Sequence, residues 1–322
     1  MVRYILKRIL LLIPVIFAVS FVVFALLEAA PGDVADAIIA AAGELTPEDV
    51  ERIRAELHLD RSMFFRYGLY MRNLLQGDLG VSDITGVSVW TTYMQRLPNT
   101  LILSFSALIL GMIVAVPLGI IAARAQGKAV DNIASVFSLI GMSMPVFWVG
   151  LMLIILFSRE LGWLPPAFQT MNLRNLIMPA ICSGLSLTAS TARQTRSSML
   201  EVLKADYLRT ASAKGVPSDV VIRKHALGNA WIPIITAAGA SLCAQLAGSV
   251  VVESVFGWPG IGRMAAEAVF SRDTTTILGT IILTTVLYVL VQLLVDVLYA
   301  FIDPRIKSQY TTKKIKRKAA AA

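Results

Sequence analysis

The sequence predicts an all-α polytopic membrane protein with six transmembrane helices. Composition is the first reason: 56% of the 322 residues are hydrophobic and 16% charged, against roughly a quarter charged in a soluble globular chain. Segregation is the second, because the charges avoid several long apolar runs and collect between them. A bilayer core about 30 Å thick needs about 20 apolar residues at 1.5 Å per helical residue, and a helix satisfies its own backbone polar groups in hydrocarbon. The excess of 29 basic over 21 acidic residues therefore reads as membrane topology and not as a nucleic-acid surface.

The first apolar run, 9–27, follows Arg3, Lys7 and Arg8. It exceeds the core of a signal peptide, and Glu28-Ala29-Ala30 lacks the pattern of small residues at a cleavage site, so 1–28 is expected to be an uncleaved cytoplasmic end and first span. Residues 29–100 are expected to form an extracytoplasmic helical region. There Thr46-Pro47-Glu48-Asp49 reads as an N-cap, a proline at the first helical position and acids in the first turn, with Val50, Ile53 and Leu57 following at helical spacing. A second amphipathic stretch sets Phe64, Tyr67, Met71 and Leu74 on one face and stops at Gly77. Two readings of this region stay open: helices lying on the outer membrane surface or over the spans, or a small packed cap without a binding role.

The core, 101–306, holds the other five spans at 101–123, 133–157, 176–192, 231–252 and 276–302, with Asp296 the one charge well inside them. The span 176–192 is short and rich in Ser and Thr, which hydrocarbon tolerates only where the helix packs against protein or borders a watery path. Pro145, with Gly141 and Ser143, predicts a kink in the third span. The last segment, 307–322, is a basic tail in which Lys313-Lys314-Ile315-Lys316-Arg317-Lys318 suits an anionic lipid surface.

Orientation follows from the loops. Nineteen Lys and Arg fall in the N-terminal end, 124–132, 193–229 and the tail, and ten fall in 28–100, 158–175 and 253–275. The positive-inside rule then puts both termini in the cytoplasm.

The chemistry the chain lacks is equally informative. Cys182 and Cys243 lie in apolar stretches and His58 and His225 in loops, so neither a disulfide framework, a metal site nor an intramembrane nucleophile with its base is expected. No GxxxxGK[ST] loop occurs: Gly127-Lys128 is followed by Ala129, and Lys214-Gly215 has the reverse order. No cofactor is expected in this chain, and any ATP and Mg must be bound by partner subunits. Asp296 alone does not make the mid-membrane carboxylate set of an ion-coupled carrier, and interfacial pairing with a partner helix is the reading preferred for it.

The cytoplasmic loop 193–229 carries the clearest local signal. From Met199 to Gly215 it reads as an amphipathic helix with Leu200, Leu203, Tyr207 and Ala211 on one face, ended by Gly215 at C′, with Lys214 at the negative end of the dipole and Pro217 blocking continuation. On periodicity alone this is either a docking protrusion or an ordinary connection between spans.

Arg209-Thr210-Ala211, three residues, Gly215, nine residues, then His225-Ala226-Leu227 resembles the EAA loop of binding-protein-dependent ABC importer permeases. The variant is similar to that of the dipeptide, oligopeptide and nickel branch, and to its first, B-type permease. It departs from the general pattern at Arg209, Thr210, His225 and Gly228, in the manner of the peptide branch. Further stretches resemble the same family: Ala30-Pro31-Gly32-Asp33, Gly77-Asp78-Leu79-Gly80, Arg96-Leu97-Pro98-Asn99-Thr100, Met144-Pro145-Val146-Phe147-Trp148, Thr195-Arg196-Ser197-Ser198-Met199-Leu200 and Phe256-Gly257-Trp258-Pro259-Gly260.

The resemblance implies a type I ABC importer (MetI-like) transmembrane fold in a bacterial or archaeal cytoplasmic membrane. It implies four kinds of partner: a second, homologous permease, two ATP-binding subunits, an extracytoplasmic solute-binding protein and the lipid bilayer. The solute would be a di- or oligopeptide, with nickel or another small solute as the alternative and a stand-alone secondary transporter as the competing class. The ATPase-coupling residues would be Leu203, Asp206, Tyr207, Arg209, Thr210, Ala211, Lys214, Gly215 and His225. Candidates for the translocation path are Met142, Ser143, Met144, Pro145, Ser186 and Gln245. Phe256, Trp258 and Pro259 would form a scoop facing the binding protein, although Trp258 equally suits a bilayer-boundary anchor.

Overall fold

The computed structural model describes residues 2–30, 34–42 and 46–302. The chain runs through α1 (Val2–Ala29), α2 (Val34–Ala42), α3 (Pro47–Glu56), α4 (Met63–Leu75), α5 (Val89–Arg124), α6 (Ala129–Ser143) and α7 (Val146–Leu153, continued by a π-helical turn Ile154–Glu160). It continues through α8 (Leu173–Leu203), α9 (Asp206–Ala213), α10 (Ser218–Val220, continued by a π-helical turn Val221–Ala226), α11 (Leu227–Gly248), α12 (Val250–Val255), α13 (Ile261–Phe270) and α14 (Thr274–Ile302). Among the described residues no strand forms beyond an isolated bridge between Val81 and Ser88. The basic tail lies outside the described residues.

Four helices are long and apolar enough to cross a bilayer on their own: Ile5–Ala29, Val89–Arg124, Ser218–Leu246 and Thr274–Leu298. The predicted third span is not one rod. Ala129–Ser143 and Val146–Glu160 meet at 101°, and the cause is Pro145, whose ring forbids the i−4 hydrogen bond and turns Met144 and itself to extended ψ values of 130° and 127°. This pair brings the count by length and composition to at most five. The sixth expected span lies within α8, which has ample length at 31 residues but too many hydroxyls to qualify on composition. Packing explains why it is nonetheless a helix. Its buried positions Cys182, Gly184, Leu187, Ala189, Thr191, Ala192 and Thr195 face protein, and the hydroxyls of Thr188, Ser190 and Thr195 bond back to carbonyls of their own helix.

The chain forms two compact units. In the first, Leu101–Phe256 with the end of α14, α8 is the shared element, packed by α6, α7, α11 and α12. Glycines let α5 approach it closely: a Cβ at Gly119 would lie 2.5 Å from Thr195 Cβ and 2.6 Å from Ala192 O, and one at Gly111 would lie 2.5 Å from Leu187 Cδ2. Met199, Leu208, Val221, Ile222, Ala226 and Ile234 form a buried cluster with Val116 and Ala123 of α5.

The second unit, 2–100 with Gly257–Val289, contains α2, α3 and α4. Thr46 caps α3 in a capping box with Asp49, and Pro47 opens the helix. That bond, more than the neighbouring Arg52, holds the Asp49 carboxyl below its usual range. Ser62 caps α4, and Gly77 with φ +84° follows its end, as the spacing predicts. α4 packs against α1, and of its predicted face only Phe64 is left exposed. Tyr67 stacks edge-on to Phe21 and Phe24 and donates to Phe17 O at 3.1 Å, and Met71 is buried, while Phe64 is 72% exposed. Arg66 pairs with Glu28.

Candidate functional site

The loop after α8 builds a small protrusion whose core and outer face are distinct. Sequence periodicity treats 199–215 as one helix, but the structure breaks it: α8 ends at Leu203, Lys204 and Ala205 turn the chain, and Ala205 has extended backbone (ψ 139°) as N-cap of α9. The break shifts the helical register. Leu208 becomes the buried residue at 3% exposure, while Tyr207, expected on the apolar face with Leu200, Leu203 and Ala211, is 45% exposed. Leu200, Leu203 and Ala211 do pack against the cluster that holds Leu208.

The end of α9 is a Schellman motif. Gly215 adopts φ +82°, its N–H donates to Ser212 O at 3.0 Å, and the next N–H, of Val216, donates to Ala211 O at 3.3 Å. Val216 packs on the same cluster as Ala211, which supplies the apolar contact that accompanies this cap. Nothing lies within 4 Å of a Cβ placed on Gly215, so the glycine is required by the backbone conformation and not by crowding. Pro217 then opens α10, and the π-helical turn carries His225 into α11. Asn229 of α11 donates to both Tyr207 Oη (2.9 Å) and His225 O (3.0 Å). Arg124 at the end of α5 pairs with Asp219 at 3.2 Å.

What remains outside is a polar face on a fixed helix: Asp206, Tyr207, Arg209, Thr210, Ser212, Ala213 and Lys214 are all exposed. Asp206 and Arg209 lie 3.9 Å apart but are 97% and 78% exposed at their side chains, a pairing of little energetic weight. Thr210 donates to Asp206 O at 3.0 Å. Of the coupling residues expected from sequence, Asp206, Tyr207, Arg209, Thr210, Lys214 and Gly215 thus share an accessible surface. Leu203, Ala211 and His225 are half-buried supports. Leu208, which sequence reasoning passes over, anchors the helix from beneath.

At the elbow between α6 and α7, Met142, Ser143 and Pro145 are exposed and Met144 half-buried. Cys182 Sγ of α8 lies 3.4 Å from Val146 O, just past the bend. Ser186 is exposed one turn further along α8, and Gln245 Nε2 of α11 reaches Ser183 O at 3.5 Å. The path candidates therefore sit on three helices that meet around α8.

Two side chains of the expected scoop are buried within the chain, Phe256 at 2% and Trp258 at 0% exposure. In the second unit Trp258 Nε1 donates to Asn99 O (2.9 Å), Asn99 Nδ2 donates to Pro259 O (2.8 Å), and Ile261 N donates to Thr100 Oγ1 (2.9 Å). The turn is thereby locked onto the first turns of α5. Pro259 is half-buried. In the first unit Phe256 O accepts from Phe168 N at 2.8 Å.

A helical membrane chain with a broken helix, a polar central helix and a capped loop helix has the architecture of a membrane transport subunit. The chain belongs to the binding-protein-dependent transport system inner membrane component family, whose model matches residues 115–308, with the corresponding N-terminal model matching 1–104. It is 38% identical to a dipeptide transport system permease protein, DppB, of Alkalihalophilus pseudofirmus, with 95% of this chain and all of that protein covered. It is 39% identical to a glutathione transport system permease protein, GsiC, of Escherichia coli (95% and 99% covered) and 36% identical to an oligopeptide transport system permease protein, AppB, of Bacillus subtilis (95% and 100%). The fold is that of a chain of the MetNI methionine ABC transporter, solved in inward facing conformations, with a TM-score of 0.57 at 17% identity over 66% of this chain and 97% of that one.

Proposed function

We propose that this chain is one of two permease subunits of an ATP-driven importer of di- or oligopeptides, and that α9 is the element on which an ATPase subunit docks. The observation that carries the proposal is the polar, exposed face of α9, held at both ends by a chain break and a Schellman cap and joined to α8 by only the two-residue turn Lys204-Ala205. A helix so fixed transmits displacement, because its buried side, Leu208 with Met199, Val221 and Ile222, is continuous with the packing of α5, α8 and α11. Peptide as the solute rests on the relatives named above, whose stated cargoes of dipeptide, oligopeptide and glutathione share a short peptide backbone. The absence of a P-loop from the sequence assigns hydrolysis, with its ATP and Mg, to partner chains.

In this reading closure of the paired ATPases moves α9, α8 carries the movement inward, and the elbow at Met142–Pro145 with Ser186 and Gln245 borders the route of the peptide. Access alternates between two states, one favoured by nucleotide and the other by the loaded binding protein. The excess of Lys and Arg in alternate loops supports the reading in which α9 and both termini face the cytoplasm.

The test is uptake of a labelled dipeptide into proteoliposomes. The complete assembly with a second permease, two ATPases and binding protein is expected to concentrate peptide only when ATP is supplied. The chain alone under a proton or sodium gradient is expected to do nothing, and concentrative uptake there would replace the proposal with a secondary transporter.

A further inference from the structure

Asp131 is the only acidic residue buried on α6, at 2% exposure, and it lies near the start of the helix that ends at the elbow. Arg196 of α8 grips it with both arms of its guanidinium: Nε donates to Oδ1 at 2.5 Å and Nη2 to Oδ2 at 2.7 Å. Gly127 adds its backbone N–H to Oδ2 at 3.0 Å, from a turn in which it holds φ +74°. Such a fork-to-carboxylate pair is stronger and more directional than a single ion contact.

The surroundings give the pair a mechanical meaning. Ten residues along α6, about 15 Å at helical rise, Gly141 meets α8 again, where its Cβ position would be 3.3 Å from Ala189 Cβ. Between these two ties lies a cavity of 160 Å³ lined by Ala134, Ser138 and Leu139 of α6, Ala192 and Arg196 of α8, and Gly119 of α5. The cavity interrupts the packing of α6 on α8, and the bidentate pair ties the two helices on its loop side. The contact of α5 with α8 is closer, with Gly111, Gly119 and Gly184 each leaving no room for a Cβ. Arg196 lies two turns before α8 ends at Leu203, next to the docking helix. The elbow begins one residue past Gly141, at Met142.

We propose that Asp131 and Arg196 are positioning residues for coupled transport: they form the strut through which displacement of the loop helix α9, carried by α8, tilts α6 about its Gly141–Ala189 contact and so moves the elbow at Met142–Pro145. This rests on the importer reading. Without the pair, α6 keeps its packing on α8 but loses the directional tie on the loop side of the cavity, so that its tilt no longer follows α8 fully.

The experiment uses the complete reconstituted assembly and reads three quantities: recovery of the intact complex, ATP hydrolysis stimulated by loaded binding protein, and peptide taken up per ATP. Asp131→Asn and Arg196→Gln are expected to assemble normally and hydrolyse ATP within twofold of the parent, while peptide per ATP falls at least tenfold. The exchanged double variant Asp131→Arg with Arg196→Asp is expected to recover at least a third of the parent ratio. Unchanged peptide per ATP in either single variant overturns the strut, as does a double variant no better than the singles. Loss of assembly in the single variants also overturns it, because the pair is then only a fold-stabilising contact. Failure of the importer reading shows separately, as absence of ATP-dependent uptake in the parent assembly.

Discussion

Replacing Gly215 with Val isolates the cap of the docking helix from everything else in the chain. The residue is exposed, its φ is +82°, and a Cβ there meets nothing within 4 Å, so the only penalty is that of a left-handed conformation, about 1–2 kcal/mol for a residue with Cβ. Helix α9 has eight residues, too few to be stable without its ends and its packing. That energy corresponds to a roughly 5- to 30-fold drop in the equilibrium constant for the correctly ended α9. Gly215→Val is therefore expected to insert and express as the parent does, with ATP-dependent uptake and retention of the ATPases on purification lowered by up to about that factor. Gly215→Asn, which tolerates the left-handed region better, is expected to lose less. Full uptake and full ATPase retention by the valine variant would show that the loop is only a connection between spans.

The remaining expectations concern packing and charge. Gly119→Ala puts a methyl 2.5 Å from Thr195 Cβ and 2.6 Å from Ala192 O, an overpacking of about 1–3 kcal/mol. Gly228→Ala, with nothing within 4 Å, is expected to be neutral or stabilising by up to about 1 kcal/mol, and equal melting temperatures for the two would refute the close approach of α5 to α8. Trp258→Ala is expected to cost about 3–5 kcal/mol of stability, seen in thermal melts in detergent, whereas an unchanged melt with weakened binding-protein contact would restore the surface role. Asp83 accepts from Thr275 N (3.3 Å) and Thr275 Oγ1 (3.2 Å), and its own N–H donates to Asp273 (3.4 Å). Burial raises its pKa above the usual carboxylate range, opposed by the Thr275 bonds and reinforced by the Asp273 charge. A raised folded pKa means the folded state holds the proton longer, so stability from this group is complete below the unfolded pKa near 4 and is lost as pH rises through the folded value. The difference in melting temperature between the parent and Asp83→Asn should then grow in favour of Asn from about pH 4 upward, and a difference of opposite slope would contradict the assigned burial.

What the sequence made legible was local. The cap at Thr46, the stops at Gly77 and Gly215 and the break at Pro145 are each decided by one or two residues with restricted backbones, and the structure forms all of them. The size of the break was not legible, since a kink and a 101° elbow carry the same proline. Polarity of 176–192 correctly implied a helix among helices, because hydroxyls without protein neighbours have no place in hydrocarbon. Three features could not be read from spacing, two of them because they depend on partners far along the chain. Trp258 looked like a surface anchor because its acceptor, Asn99 O, is 159 residues away. Asp131 and Arg196 stand in separate loops by sequence and 65 residues apart. Tyr207 and Leu208 exchanged roles because two residues, Lys204 and Ala205, interrupt an otherwise continuous periodicity.

The central claim, that the exposed face of α9 receives an ATPase, is tested most directly by a photo-reactive amino acid placed singly at Arg209, Thr210 and Lys214 in the assembled complex, with Leu208 and Phe64 as controls. Illumination is expected to join the three α9 positions to the ATPase subunit, and to leave the buried Leu208 and Phe64 of α4 without that product. ATPase cross-links absent from all three α9 positions in an assembly that still takes up peptide would contradict the account.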